Sequence, residues 1–168
     1  MDARGKGAIE ARLQALEDRL AIFQVVCAYG YAVDGCNAEA VGDLYAEDGV
    51  YDVGDTPAFE GRDEVAALAS NPGHFALVEN GVAHLSTLPY VVIEDDRAVA
   101  TCHTLVSRYG EDGFKIWRIS ACRIELSRQG DGVWRINHRQ NHLLNGDRNG
   151  PALLARLKEG PSKGGRTA

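Results

Sequence analysis

Four β-rich segments in the second half of the chain, joined by very short polar turns, constrain the fold more than any other feature. They cover residues 82–94, 97–109, 114–128 and 133–143. The turns between them have two to four residues and are rich in Asp and Gly. Such short connections link antiparallel neighbours, because a parallel crossover requires a dozen residues or more. The segments therefore predict an antiparallel meander.

The first half of the chain has the periodicity of helices. Apolar residues recur every three or four positions along one face of a long first helix: Ile9, Leu13, Leu16, Leu20, Phe23, Cys27 and Tyr31. Asp34 continues this series, and Gly35 suits the left-handed residue that ends many helices. Asn37 can then cap a second, short helix over 38–45.

A third helix is predicted over 63–70, where Asn71-Pro72-Gly73 ends it. Short extended pieces are predicted at 49–53 and 59–61. Helices followed by a meander indicate an α+β fold. We expect a curved antiparallel sheet that packs on the long N-terminal helix and two shorter helices.

A chain of 168 residues fits one domain better than two. We expect residues 8–145 to form this domain and 146–168 to form a C-terminal extension. Within the extension, 151–158 can form one helical stretch, whereas 160–168 is rich in Gly, Lys and Arg and is predicted to be disordered.

The composition argues against several classes of protein. Eighteen basic and 24 acidic residues give a net charge of −6, and no basic cluster precedes the tail, so nucleic-acid binding is rejected. No apolar run approaches the ~20 residues that a membrane span requires, and the polar residues 1–7 indicate no signal peptide. The four cysteines form no C-x-x-C pair, which favours reduced thiols in a cytoplasmic protein.

Three short segments carry a resemblance to a known group of proteins. They are Leu-Tyr-Ala-Glu-Asp-Gly-Val at 44–50, Phe-Glu-Gly-Arg-Asp-Glu-Val at 59–65 and Asp-Gly-Val-Trp-Arg-Ile at 131–136. With the order of helices and strands, they resemble the nuclear-transport-factor-2-like superfamily and, within it, the SnoaL-like group. The resemblance implies a cone closed by the first helix, a pocket between helix and sheet, and a homodimer or homotrimer. Members include enzymes, binding modules and assembly subunits, so the fold alone does not decide the function.

Asp34 and His84 are the two residues whose positions suggest chemistry. Asp34 continues an apolar face at a helix C-terminus, where the macrodipole disfavours a negative charge by about 0.3–1 kcal/mol; a solvated turn residue is the alternative. His84 lies in a segment whose two alternating faces are similar in polarity, so a structural histidine is its alternative.

Together, the pair coincides with the Asp and His of scytalone dehydratase, hexachlorocyclohexane dehydrochlorinase and bile acid 7α-dehydratase. Tyr29 matches a tyrosine five residues before the Asp of the bile acid enzyme, although ideal helix geometry would place Tyr31 closer to Asp34. Arg139 matches an active-site arginine of the dehydrochlorinase. Scytalone dehydratase has a tyrosine directly before its Asp, where this chain has Val33, which argues against the same substrate.

The chemistry that this pair suits is proton abstraction from carbon followed by loss of a leaving group. A neutral imidazole of His84 is a competent base near neutral pH, and the carboxylate of Asp34 would fix its tautomer. Loss of hydroxide needs an acid, for which Tyr29, Tyr31 and Tyr51 are the candidates. Loss of chloride needs only a positive partner, such as the guanidinium of Arg139.

The sequence thus predicts a cofactor-free lyase of the dehydratase type, acting on a small, mostly apolar, cyclic substrate. An isomerase or cyclase with the same pair, and a non-catalytic binding protein or assembly subunit, are the alternatives.

No metal is expected, because His138 and His142 lie four residues apart on a predicted strand, a separation of ~13 Å. In a regular strand Arg139 and Trp134 lie on opposite faces, so both side chains can face inward only if a β-bulge shifts the register.

Overall fold

The computed structural model describes residues 3–54 and 56–162 as a mixed sheet with helices packed against it. The helices are α1 (Ala3–Asp34), α2 (Ala38–Asp43), α3 (Arg62–Ala67), α4 (Pro72–Glu79) and α5 (Asn149–Ala155). The strands are β1 (Tyr45–Asp52), β2 (Phe59–Glu60), β3 (Val82–Ser86), β4 (Tyr90–Glu94), β5 (Arg97–Gly110), β6 (Gly113–Arg128) and β7 (Trp134–Leu143). The predicted α+β class is confirmed.

The sheet has the strand order β2-β1-β7-β6-β5-β3, with β4 also pairing with β5. The pairs among β3 to β7 are antiparallel, which confirms the meander. In contrast, β1 pairs in parallel with β7, and the sheet is therefore mixed. The predicted single strand over 82–94 is wrong, because β3 and β4 pair with different parts of β5. Pro89 lies between them and lacks the N–H that a continuous ladder would use.

The segment Asn71-Pro72-Gly73 begins a helix as well as ending one, and α4 was not predicted. The side chain of Asn71 accepts a hydrogen bond from the backbone N–H of His74 at 2.8 Å, and Pro72 occupies the first helical position. Proline suits that position because its missing N–H would have no partner inside the helix. The segment Asn71-Pro72-Gly73 therefore separates α3 from α4 and caps the N-terminus of α4.

Helix α1 packs on the sheet through a face that differs from the predicted one. Its buried residues include Ile22, Val26, Tyr29 and Val33. The first part of the predicted face is not covered: Ile9, Leu13, Leu16 and Leu20 are 50–61% exposed. Phe23, further along the same face, is partly buried against the core. At about 100° per residue the two sets lie on opposite sides of the helix. Apolar periodicity marks both faces and cannot tell which of them meets the sheet.

Asp18 bonds the middle of α1 to the sheet. Its carboxylate is buried; it accepts from the Trp134 indole N–H at 3.2 Å and pairs with Arg128 at 2.7 Å. Burial raises the pKa of Asp18, but the hydrogen bonds from Arg128, Gln14 and Trp134 outweigh it, and the net pKa lies below the ordinary value. The guanidinium of Arg128 also lies over the Trp134 ring at 4.7 Å.

The C-terminal extension packs on the sheet as far as it is described. Leu153 of α5 is buried, and Arg123 of β6 donates to the backbone carbonyls of Arg156, Glu159 and Gly160, each at 3.3 Å. Of the segment predicted to be disordered, 163–168 lies outside the described residues. No helix in the described part of the chain is long and apolar enough to cross a membrane.

Replacing Asp18 with Ala should lower the free energy of unfolding by about 2–3 kcal/mol, because Trp134 and Arg128 lose a charged acceptor. Urea denaturation at neutral pH measures the change. Asp48→Ala, at an exposed aspartate of β1, is the matched control and should change stability by less than ~0.5 kcal/mol. Equal effects of the two substitutions would contradict the role of Asp18.

The contribution of Asp18 should also depend on pH in a defined direction. A carboxyl group whose pKa is lowered by folding stabilises the protein above its unfolded-state pKa of ~3.9 and loses that contribution as the pH falls through the folded-state pKa. The difference in unfolding free energy between wild type and Asp18→Asn should therefore shrink below about pH 4. A difference that stays constant down to pH 2–3 would contradict this linkage.

Candidate active site

A cavity of about 300 Å³ lies between the C-terminal end of α1 and the sheet. Its lining includes Tyr29, Tyr51, His84, Arg139 and Asn141. A second cavity of about 370 Å³ shares Tyr29, Tyr51, Val53, His84 and Arg118 with the first. Its other lining residues, around β2, α3 and α4, are largely apolar. The two cavities therefore meet at His84, with a polar lobe on one side and an apolar lobe on the other.

Asp34 and His84 are bonded to each other at two points. Asp34 Oδ1 lies 2.6 Å from His84 Nδ1, and Oδ2 accepts from the backbone N–H of His84 at 2.7 Å. Because a carboxylate only accepts, Nδ1 carries the ring proton and Nε2 carries the lone pair. The two side chains are 24% and 17% exposed, respectively. The arrangement presents a basic nitrogen whose tautomer and ring orientation are set by a carboxylate.

Gly30 allows β3 to cross α1 closely enough for this contact. A Cβ at Gly30 would lie 2.2 Å from the carbonyl oxygen of His84. Any other residue would push β3 away from the helix, because the atom met is backbone and cannot rotate aside. The glycine four residues before Asp34 thus sets the distance between the two halves of the pair.

A β-bulge brings Arg139 into the cavity. Glu125 of β6 pairs with His138, but the next residue, Leu126, pairs with Ile136, so Asn137 is the extra residue of β7. The bulge inverts the alternation, and Ile136 and Arg139 are both buried, at 0% and 4% exposed. The regular alternation expected from the sequence would have kept one of them out.

The guanidinium of Arg139 lies among neutral aromatic groups. Its central carbon is 3.9 Å from the Tyr29 ring centroid and 4.9 Å from that of Tyr51. Among the described residues no Asp or Glu pairs with it. Burial raises the pKa of the Tyr29 and Tyr45 hydroxyls, which therefore stay neutral.

The thiol of Cys122 also interacts with this cation. Burial raises its pKa, but the hydrogen bond with Cys102, which stands opposite on β5, and the guanidinium of Arg139 outweigh burial and lower it. The buried guanidinium of Arg139 thus has no ion-paired carboxylate among the described residues, although Arg118 and the exposed Asp147 also line the cavity. A buried cation of this kind favours a ligand with negative or developing negative charge.

The three tyrosines proposed for the site differ in placement. Tyr29 and Tyr51 line the cavity with their rings edge to face at 5.8 Å, and the Tyr51 oxygen accepts from Asn141 at 3.0 Å. The Tyr51 hydroxyl also lies within hydrogen-bonding range of the Tyr29 hydroxyl. Tyr31 is 82% exposed and does not line the cavity, so its assignment to the site is wrong. It lies on the outer side of α1, whereas Tyr29 lies on the side that meets the sheet.

His74 lines the second cavity and is a component of the site that the sequence analysis did not assign. It is 7% exposed, and its Nε2 lies 2.6 Å from the carbonyl oxygen of Val33. Since a carbonyl only accepts, Nε2 carries the proton. Its ring is centred 6.0 Å from that of His84. The cap sequence before His74 was the available signal, because it indicates the first turn of a helix.

The remaining histidines do not assemble a metal site. His142 lines the first cavity, His138 lies further along β7, and His103 is exposed on β5. Within residues 3–54 and 56–162 no three His, Cys, Asp or Glu side chains are close enough together to hold an ion.

Comparisons with known proteins identify the family. A family model described as a SnoaL-like domain matches residues 14–140. An NTF2-like protein with a cystatin-like fold from Novosphingobium aromaticivorans is 39% identical, with 87% of this chain and 94% of that chain covered and a TM-score of 0.84. The resemblance inferred from the sequence is confirmed.

Two more distant structures from the same organism share the fold. A protein provisionally named scytalone dehydratase is 18% identical, with 77% of this chain and 85% of that chain covered and a TM-score of 0.64. A protein provisionally named aromatic ring hydroxylase is 27% identical, with coverages of 77% and 90% and a TM-score of 0.59. No curated protein matches the chain.

Gly30→Ala should separate α1 from β3, because the new methyl group meets the His84 carbonyl. We expect a loss of about 2–4 kcal/mol in the free energy of unfolding, typical of overpacking against backbone. Gly7→Ala is the matched control in the same helix, since a Cβ there meets nothing within 4 Å. It should be neutral or stabilising by up to about 1 kcal/mol. Thermal and urea denaturation measure both, and a neutral Gly30→Ala would contradict the close crossing.

His74→Phe keeps a ring in place but removes the donor to the Val33 carbonyl. We expect a loss of about 1 kcal/mol in stability and a shift of the His84 Nδ1–H resonance in ¹H–¹⁵N NMR, because the end of α1 that carries Asp34 is less firmly held. His74→Gln, which retains an N–H donor, should partly restore the resonance. His103→Phe is the surface control. A His84 resonance unchanged in His74→Phe would show that His74 does not position the pair.

Proposed function

The chain belongs to the SnoaL-like domain family, and we propose that it is a cofactor-free lyase of the dehydratase type. Its substrate would be a small, mostly apolar, cyclic molecule. The observation that carries this proposal is the double contact between Asp34 and His84 at 2.6 and 2.7 Å, at the junction of two cavities. His84 is the base, and Asp34 positions it.

In the proposed reaction, Nε2 of His84 takes a proton from a substrate carbon. The Nδ1 proton stays on the imidazole, and the carboxylate of Asp34 stabilises the imidazolium that forms. The electron pair of the broken C–H bond forms the new C=C bond as the C–O bond to the leaving hydroxyl breaks. Such proton transfer by a positioned base contributes about 10²–10⁴ to a rate.

The leaving hydroxyl needs a proton, and Tyr51 is placed to supply it. Its oxygen already accepts from Asn141 at 3.0 Å, which leaves its own proton to donate. The phenolate that remains would lie beside Arg139, whose guanidinium carbon is 4.9 Å from the Tyr51 ring centroid. Water then leaves, and the imidazolium of His84 returns its proton through solvent to the phenolate of Tyr51, which restores both groups.

The shape and polarity of the cavities support a compact substrate with one polar side. Tyr29 and Tyr51 form aromatic walls shared by both lobes, which suits the face of a ring. Oxygen substituents would face Arg139 and Asn141 in the first lobe, and hydrocarbon would fill the second. Volumes of about 300 and 370 Å³ are in the range of small-molecule sites.

An isomerase or cyclase is the second candidate, and the environment of Arg139 suits it as well. A buried guanidinium without a carboxylate partner, next to the Tyr51 hydroxyl, could stabilise an enolate oxygen as well as a leaving group. In that case His84 would return the proton to another carbon, and no water would be lost. The mass of the product separates the two reactions, because only the dehydration lowers it by one water.

His84→Ala should lower turnover of any substrate found in a panel of hydroxylated cyclic ketones and phenols by about 10³-fold or more, and Asp34→Asn by about 10²–10⁴-fold. The double variant should be little worse than His84→Ala, because the two residues act as one unit. Loss of water is followed by mass spectrometry and initial rates, with thermal melting as the folding control. His103→Ala, an exposed histidine of β5, is the matched control and should keep full turnover.

Near-normal turnover in folded His84→Ala would contradict the proposed base. Binding of the same compounds, measured by calorimetry, without any conversion by the wild type would favour a non-catalytic binding protein.

A further inference from the structure

The outer side of α1 carries an exposed line of large aliphatic side chains. Ile9, Leu13, Leu16 and Leu20 are 50%, 53%, 60% and 61% exposed. Within the described part of the chain nothing covers them, because the sheet packs on the opposite side of the helix. Single exposed apolar residues are ordinary, but four aligned on one helix indicate a surface for a partner.

The spacing of this line is that of a coiled-coil seam. Steps of four, three, four and three residues lead from Ile9 to Phe23. Leu13 and Leu20 then occupy the a positions of a heptad, and Ile9, Leu16 and Phe23 the d positions. A second helix could lie along the seam from Ile9 to Leu20 without meeting the sheet, because these residues are exposed. Phe23, at the end of the seam, is partly buried against the core.

Charged residues beside the seam indicate which helix fits. Arg12 falls at a g position and Glu17 at an e position, and in a parallel pair a g residue meets the e residue five positions later on the other helix. Arg12 of one copy would therefore meet Glu17 of another, twice by symmetry. An antiparallel pair would instead bring g to g and e to e, and so set like charges against each other.

Neither charge is already used within the chain. Among the described residues no intrachain ion pair involves Arg12 or Glu17. Arg19, at the next g position, is instead bonded to the Val91 carbonyl at 2.9 Å. From Asp18 onward α1 is anchored by its packing on the sheet, whereas residues 6–17 are exposed on every side. Association would therefore add to a helix that is already nucleated, which avoids the penalty that makes short isolated helices marginal.

We propose that the surface formed by Ile9, Leu13, Leu16 and Leu20 binds the same surface of a second copy of this chain, with the two α1 helices parallel. Arg12 and Glu17 set the direction of the pairing. This proposal is independent of the proposed lyase activity, since the surface lies on the side of α1 that faces away from the sheet.

Sedimentation velocity and light scattering, over protein concentrations from about 1 to 100 µM, test the association; dissociation constants in that range are common for modest interfaces. The wild type should be oligomeric, and Leu16→Glu should reduce its mass while leaving the melting temperature of the folded chain nearly unchanged. Val133→Glu, at an apolar residue 47% exposed directly before β7, is the matched control and should keep the wild-type mass. A monomeric wild type, or a Leu16→Glu variant with wild-type mass, would overturn the proposal.

A charge exchange tests the direction. Arg12→Glu alone and Glu17→Arg alone should each weaken association several-fold, because each sets like charges together in the parallel pair. The double variant should restore wild-type affinity, and the effect of all three should diminish in high salt. Single variants that bind as tightly as the wild type would overturn the parallel arrangement.

Discussion

The carboxylate of Asp34 is held at both oxygens by one residue of another element, the backbone N–H and the imidazole of His84. A helix C-terminus disfavours this negative charge, so the charge depends on the donors that β3 supplies. Those donors can approach only where α1 has no side chain, at Gly30. The position of α1, the placement of β3 and the junction of the two cavities all follow from this one crossing.

The cavity separates two kinds of charge that would otherwise neutralise each other. Asp34 is committed to His84, and Arg139 is surrounded by tyrosine rings with no described carboxylate in reach. In the reactions proposed above, a molecule between them would lose a proton on one side and gain negative charge on the other. Fixed charges arranged in this way need little reorganisation during a reaction, which is how preorganised sites stabilise charge separation. The same arrangement serves elimination and isomerisation, so the product decides between them.

Helix α1 serves two environments because its two apolar faces lie on opposite sides. Ile22 and Val26 are fully covered by the domain, while Leu16 and Leu20 stay exposed. Asp18 is a polar residue on the buried side, and its bonds to Arg128 and Trp134 mark that side as the one that meets the sheet. If the outer face pairs with a second copy, the helix that carries Asp34 is supported from both sides.

The sequence by itself determined the α+β class, the meander and the family, because short turns restrict strands to antiparallel neighbours and helical spacing is a local property. It also singled out Asp34, His84 and Arg139 as candidate site residues, although the position of each one in the sequence was equally compatible with a purely structural role. Only the tertiary structure decided how these residues meet. The contact between Asp34 and His84 and the inward position of Arg139 depend on distant parts of the chain. They require the approach of Gly30 to the His84 carbonyl and the extra residue of β7 in its pairing with β6. Local periodicity holds no information on such contacts, because a one-residue bulge inverts a strand face and two apolar faces make a helix ambiguous.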